Sequence, residues 1–194
     1  MRLFGLILLL LIPRNTWGYL PAAPELMDRM YSSHWTRANP VEIDIRLEDP
    51  GGDMGEDMTV LFPPADVTAD DVDGFLPGAP STNLLLALST GPSAAERIFP
   101  SLFQADTPVD LSRVDRTVCY LIDGRNVRLW LRKEDYLPMR LDVLEGNGVW
   151  TASRFLEYVP VSGQLVYPSS TEVYRGAELL FLERLVLPPD RAHP

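Results

Sequence analysis

The sequence predicts a mainly β fold with a helical minority, an α+β chain built on an antiparallel sheet. Three observations predict it. From residue 111 onward, apolar runs recur about every ten residues with turn signals between them, the spacing an all-β sheet or barrel gives. Prolines fall unevenly: eleven lie in residues 19–108 and three in 109–187. A residue without a backbone N–H cannot serve a central ladder, so central strands belong to the second half. Finally, 46% hydrophobic residues in a 194-residue chain suffice for a substantial core.

Residues 1–18 read as a secretory signal peptide. Arg2 precedes the apolar run Leu3 to Ile12, which Pro13 ends. Ten residues are too few to cross a bilayer but suit a signal h-region. Thr16-Trp17-Gly18 places small residues at the positions that precede cleavage. No second apolar span of 18 residues follows, so the exported chain is expected to be soluble and not membrane-spanning. Residues 19–187 are expected to form a single domain, and the Pro-rich residues 188–194 a flexible tail.

The first element after the signal is a helix. Pro24 suits a first turn, and Leu26, Met27, Met30, Tyr31 and Trp35 share one face. Val41 to Glu48 alternates apolar and charged residues, the pattern of a strand with one wet face. Asp49-Pro50-Gly51-Gly52 turns the chain, and Met58 to Phe62 returns until Pro63-Pro64. Ser81 or Thr82 can cap a short helix through Leu84, Leu85, Leu86 and Leu88, broken by Gly91-Pro92. Ser93-Ala94-Ala95-Glu96 fits a capping box for a second short helix that Pro100 limits.

The remaining residues form a meander. Arg113 to Ile122 is read as one strand, turned by Asp123-Gly124, and Val127 to Arg132 returns. Leu137 to Leu144, Val149 to Val159, Tyr167 to Arg175 and Glu178 to Leu187 follow as further strands. The last of these is apolar on both faces: Leu179, Phe181, Leu185 and Leu187 on one, Leu180, Leu182 and Val186 on the other. Either helices cover the second face, or the sheet curls around an apolar cavity.

Charge and motifs narrow the function. Seventeen Lys+Arg against 27 Asp+Glu give a net charge of −10, which opposes binding to nucleic-acid phosphates or anionic headgroups. That acidity is local: residues 42–73 hold eleven acids and one base, Arg46. Asp66, Asp70, Asp71 and Asp73, or Glu48, Asp49, Asp53, Glu56 and Asp57, offer hard oxygen ligands. Their spacing matches no standard Ca²⁺ loop, so they read as solvated loops with no metal or cofactor. Two histidines, His34 and His193, leave no triad base near a nucleophile, and no phosphate loop or G-x-S-x-G is present. The chain is not expected to be an enzyme. The lone Cys119, inside the strand-like run Val118 to Ile122, reads as a buried thiol.

One stretch is more specific. Leu129-Trp130-Leu131-Arg132-Lys133-Glu134-Asp135-Tyr136-Leu137-Pro138-Met139-Arg140-Leu141 resembles the strand–turn–strand signature of LolA/LolB-like outer-membrane lipoprotein-sorting proteins. Arg154-Phe155, Tyr158, Tyr167-Pro168 and Thr171 to Tyr174 look like that family's next strands, and Pro24 to Met30 like its N-terminal helix. The resemblance implies a curved antiparallel sheet forming an unclosed half-barrel, with the N-terminal helix and short lid helices over an apolar cavity. It implies binding of an acylated lipoprotein or other lipid in the Gram-negative periplasm, by a monomer without metal or catalysis. Phe62-Pro63-Pro64-Ala65-Asp66-Val67 lacks the arginine that helps control the lid in carriers of the family.

On that reading, strand alternation nominates Val118, Tyr120, Leu129, Leu131, Leu141, Val143, Phe155 and Leu180 as cavity residues. Leu85, Leu88, Phe99 and Phe103 would come from the lid. The alternative is a periplasmic protein-interaction or envelope-stress sensor module on the same fold. It would carry no lipid and would meet proteins with basic surfaces through its acidic segment.

Overall fold

In a computed structural model of the chain, residues 20–35, 39–52, 54–63, 85–86, 88–89, 91–163 and 165–186 are described. The expected signal peptide, the tail and the acids of 66–73 lie outside them.

Alternation of side chains builds a nine-stranded sheet. Its strands are β1 (Val41–Glu48), β2 (Met54–Phe62), β3 (Val109–Val114), β4 (Thr117–Asp123), β5 (Val127–Arg132), β6 (Pro138–Leu144), β7 (Trp150–Ser162), β8 (Leu165–Arg175) and β9 (Glu178–Val186). Every neighbouring pair is antiparallel, in the order β2-β1-β9-β8-β7-β6-β5-β4-β3. Strands β3 to β9 are a meander, and the β1–β2 hairpin adds to β9. The sheet is an open half-barrel whose two end strands, β2 and β3, do not pair.

Helix α1 (Ala23–His34) buries Ala23, Leu26, Met27, Met30 and Tyr31, the stripe its spacing gives. Helix α2 (Pro92–Ile98) leads into a 3₁₀ turn, Pro100–Leu102. These elements and the helical residues 85–86 and 88–89 pack on one face of the sheet. A single apolar cluster there joins Leu26, Met27, Met30, Tyr31, Trp35, Leu85, Leu88, Phe99 and Leu102 to the sheet residues Ile43, Ile45, Phe62, Ile122, Leu129, Leu141, Phe155 and Tyr167. A chain of rings crosses it. Phe103 stacks on Tyr31, Tyr31 meets Trp35 edge-on, Trp35 meets Phe62, and Phe62 meets Tyr167 at 4.8 Å between centroids.

The other, convex face carries a smaller cluster of Val114, Cys119 and Trp130, flanked by Leu121 and Met139. Arginines cover its aromatic rings. Arg140 lies 4.9 Å above Trp130 while pairing with Asp142 at 2.7 Å, and Arg128 lies 4.6 Å above Trp150. Stacked guanidinium groups let such rings face outward without a bare apolar patch. Cys119 is fully buried, as expected, and burial pushes its thiol pKa up.

Three sequence expectations are corrected. Arg113 to Ile122 is two strands, β3 and β4, turned at Asp115 and Arg116. Asp115 adopts φ 54° there. The capping box at Ser93 does not form: Gly91 is the cap and Pro92 opens the helix, so Ser93 is already inside it. The returning strand β2 begins at Met54 rather than Met58.

Candidate functional site

The concave face is the surface that the sheet and helices share. Register shows how sequence alternation converges on it. One row runs Val109, Ile122, Leu129, Leu141, Ser153, Val173, Phe181 across strands β3 to β9. A second runs Phe155, Thr171, Glu183, Leu47 from β7 through β8 and β9 to β1. A third, Leu111, Tyr120, Leu131, lies toward β3.

Ten of the twelve nominated residues meet in this layer. Leu129, Leu131, Leu141 and Phe155 are wholly enclosed, and Tyr120, Leu85, Leu88 and Phe99 are buried in the same cluster. Val143 and Phe103 pack against it while partly exposed. Val118 and Leu180 are not brought into it. Val118 shares the parity of Tyr120 but is 38% exposed. Leu180 occupies a bulge: Val173 pairs with Phe181 and Tyr174 with Leu179, so Leu180 has no Cα partner on β8.

Polar ties hold the helical layer down. Tyr31 donates its hydroxyl to the carbonyl of Leu88 at 2.6 Å, linking α1 to the helical residues 88–89. Burial drives the Tyr31 pKa far upward, so it stays a neutral donor. Arg29 donates to the Tyr136 hydroxyl at 2.7 Å, and Tyr136 stacks on Tyr120. The ring of His34 meets the Asp135 carbonyl at 2.6 Å. The β5–β6 turn therefore anchors α1. In that turn burial works against ionisation of Asp135, yet the Arg132 guanidinium on both its oxygens holds its pKa below the ordinary carboxylate range. Thr107 donates to the Ser101 carbonyl at 2.5 Å, tying the 3₁₀ turn to the start of β3.

Sequence reasoning missed one part of this face. Ser153 (0% exposed), Thr171 (2%) and Glu183 (2%) are polar residues at buried, apolar-parity positions. The signal was present for Glu183, which stands two residues from both Phe181 and Leu185, on the apolar side of the last strand.

Among the described residues, no group of three or more His, Cys, Asp or Glu is placed to hold a metal ion. Nor is any helix long and apolar enough to cross a membrane. No protein-family model and no curated protein matches the chain. Among solved structures it is similar to a LolA superfamily protein from Nitrosomonas europaea, at 15% identity. That match covers 89% of this chain and 97% of the other, with a TM-score of 0.42.

Proposed function

We propose that the protein is an exported binder of apolar chains, one that holds the acyl groups of a lipid or an acylated lipoprotein between its sheet and its helices in the periplasm. The observation that carries this reading is the construction of the concave face. An apolar wall runs across the half-barrel and is covered by short helices held through a few hydrogen bonds, instead of by closing strands. Acyl burial is worth roughly 0.8 kcal/mol per CH₂, so a chain of ordinary length can replace the helix–sheet contacts it displaces. In the conformation seen, Leu129, Leu131, Leu141 and Phe155 are enclosed, so binding requires the helical layer to part from the sheet. The residues expected to touch the chain are the ten gathered in this layer. The signal-like residues 1–18 and the resemblance of residues 129–141 to lipoprotein-sorting proteins support the periplasmic placement.

That same enclosure favours a second reading, a lipid-free protein-interaction or envelope-sensor module. Its exposed acids Glu42 and Asp44 on β1, next to the end strand β2, would face a basic partner. Lipid mass spectrometry on protein purified from a periplasm separates the two. Stoichiometric acyl lipid supports the first reading. Lipid-free protein that captures a partner in a salt-sensitive manner refutes it and supports the second.

A further inference from the structure

On the convex face, apolar rings and charges satisfy one another. Arg140 and Arg128 lie over Trp130 and Trp150 while pairing with Asp142 and Asp123. One corner of the sheet keeps the same ingredients unsatisfied. The end strand β3 places Leu111 opposite Tyr120 and Arg113 opposite Val118. The backbone N–H of Lys133 donates to the Val118 carbonyl at 3.1 Å, so Lys133 extends this ladder from the β5–β6 turn. Arg116 lies in the adjoining β3–β4 turn. Tyr136 stacks on Tyr120, but Leu111 is 52% and Val118 38% exposed. Arg113, Arg116 and Lys133 are exposed too, and none of them makes an ion pair among the described residues. Nearby in sequence, Asp115 is held by Arg154 and Asp135 by Arg132, which leaves the exposed Glu134 beside Lys133.

We infer that this corner docks the protein on an anionic lipid bilayer, with Leu111 and Val118 entering the interface and Arg113, Arg116 and Lys133 meeting the lipid phosphates. Bare aliphatic side chains among cations suit such a surface: the apolar groups leave water and the cations gain counter-charges. An acidic protein would answer the cations, but it would need a shaped pocket for the two aliphatic side chains, which a bilayer takes without one. The net charge of −10 opposes the contact for the molecule as a whole. Charges more than about 10 Å from the bilayer are largely screened at 0.1 M salt, and the exposed acids Glu42 and Asp44 belong to β1, near the other end of the strand order. Docking needs no parting of the helical layer, so it stands apart from the chain-binding reading.

The test is flotation of protein purified from a periplasm with phosphatidylcholine vesicles, plain or containing about 30% phosphatidylglycerol, at about 0.1 M salt. Partitioning is expected to be about tenfold stronger on the anionic vesicles and to fall at about 0.5 M salt. Lys133→Glu and Arg113→Glu should each weaken it about fivefold or more, and the two together should return it to the phosphatidylcholine level. Leu111→Ser should weaken it about threefold. Arg125→Glu changes an exposed arginine between β4 and β5 that also makes no ion pair among the described residues, and should matter less than about twofold. Lys133 is the chain's one lysine, so its acetylation, read by mass spectrometry, should slow on anionic vesicles. Equal partitioning on the two vesicles overturns the site, and so does a loss in Arg125→Glu as large as in Lys133→Glu. Absence of binding to either vesicle overturns it as well, and salt-sensitive capture of an acidic protein would then assign the corner to a protein partner. The chain-binding reading is decided separately, by the acyl lipid that the purified protein carries.

Discussion

Removing the Tyr31 hydroxyl isolates the tie between α1 and the helical residues 88–89. Tyr31→Phe keeps the ring that stacks on Phe103 and meets Trp35 at 5.8 Å. It deletes the 2.6 Å bond to Leu88 and leaves that carbonyl without its donor in a buried setting. Leaving a buried acceptor unsatisfied costs about 1–3 kcal/mol. For a chain of this size 1 kcal/mol moves the melting temperature by about 2–4 °C, so about 4–8 °C should be lost for a 2 kcal/mol change. A second signature is the response to alkali. Folding raises the Tyr31 pKa above its unfolded value near 10, so its contribution is fully present below pH 10. Above that pH the unfolded chain sheds a proton that the folded chain keeps, and stability falls as pH rises. Tyr31→Phe should therefore flatten the loss of stability between pH 10 and 12, by at most about 1.4 kcal/mol per pH unit. Thermal melts at neutral pH read the first effect, and urea denaturation between pH 10 and 12 reads the second. A melting temperature within 1 °C of the parent, together with an unchanged alkaline slope, would refute the assignment of Tyr31 as the tie.

Gly124→Ala should destabilise the fold by about 2 kcal/mol in urea titration, because the added carbon would meet Ser101 Oγ and lie 2.9 Å from the Val127 carbonyl. Leu129→Ala should cost about 2–5 kcal/mol as a cavity in a closed layer, whereas Leu111→Ala, at a position 52% exposed, should stay within about 0.5 kcal/mol; similar midpoints for the two would contradict the burial. The Cys119 thiol should react with an aromatic disulfide reagent only in denaturant, and rapid labelling of the native protein would show the convex cluster open.

Much of this architecture was legible, and the failures are instructive. The α1 stripe and the alternation of β1 are local periodicities, and tertiary packing used them unchanged. The β3–β4 turn was invisible because Arg113-Val114-Asp115-Arg116-Thr117 contains no Gly, Asn or Pro. Its unusual φ at Asp115 is instead held from afar, by Arg154 of β7 with both carboxylate oxygens within 2.9 Å. No local rule reads a clamp 39 positions away. Parity placed Leu129, Leu131, Leu141 and Phe155 correctly on the shared face, but it treats strands as uninterrupted, so the bulge at Leu180 escaped it. Val118 failed for another reason. Alternation gives the side of a sheet, whereas coverage depends on what packs over it. The polar trio was overlooked because the apolar residues alone were counted along β9, although Glu183 stood among them.

The pairing of β1 with β9 also orders events in time. Arg184 of β9 and Glu48 of β1 form a 2.8 Å bond although 136 positions separate them. During synthesis or export the N-terminal hairpin emerges first and has no neighbour until the final strand arrives. Hairpins alone are only marginally stable in water. The meander β3 to β9 is built from sequential contacts, so it can assemble early, and the hairpin then docks as a late step governed by closure of a long loop. A ribosome stalled before β9 would leave the first half of the chain unable to finish its sheet, and so would a protease that trims the end. The arrival of β9 thereby decides when the early hairpin gains its neighbour in the sheet.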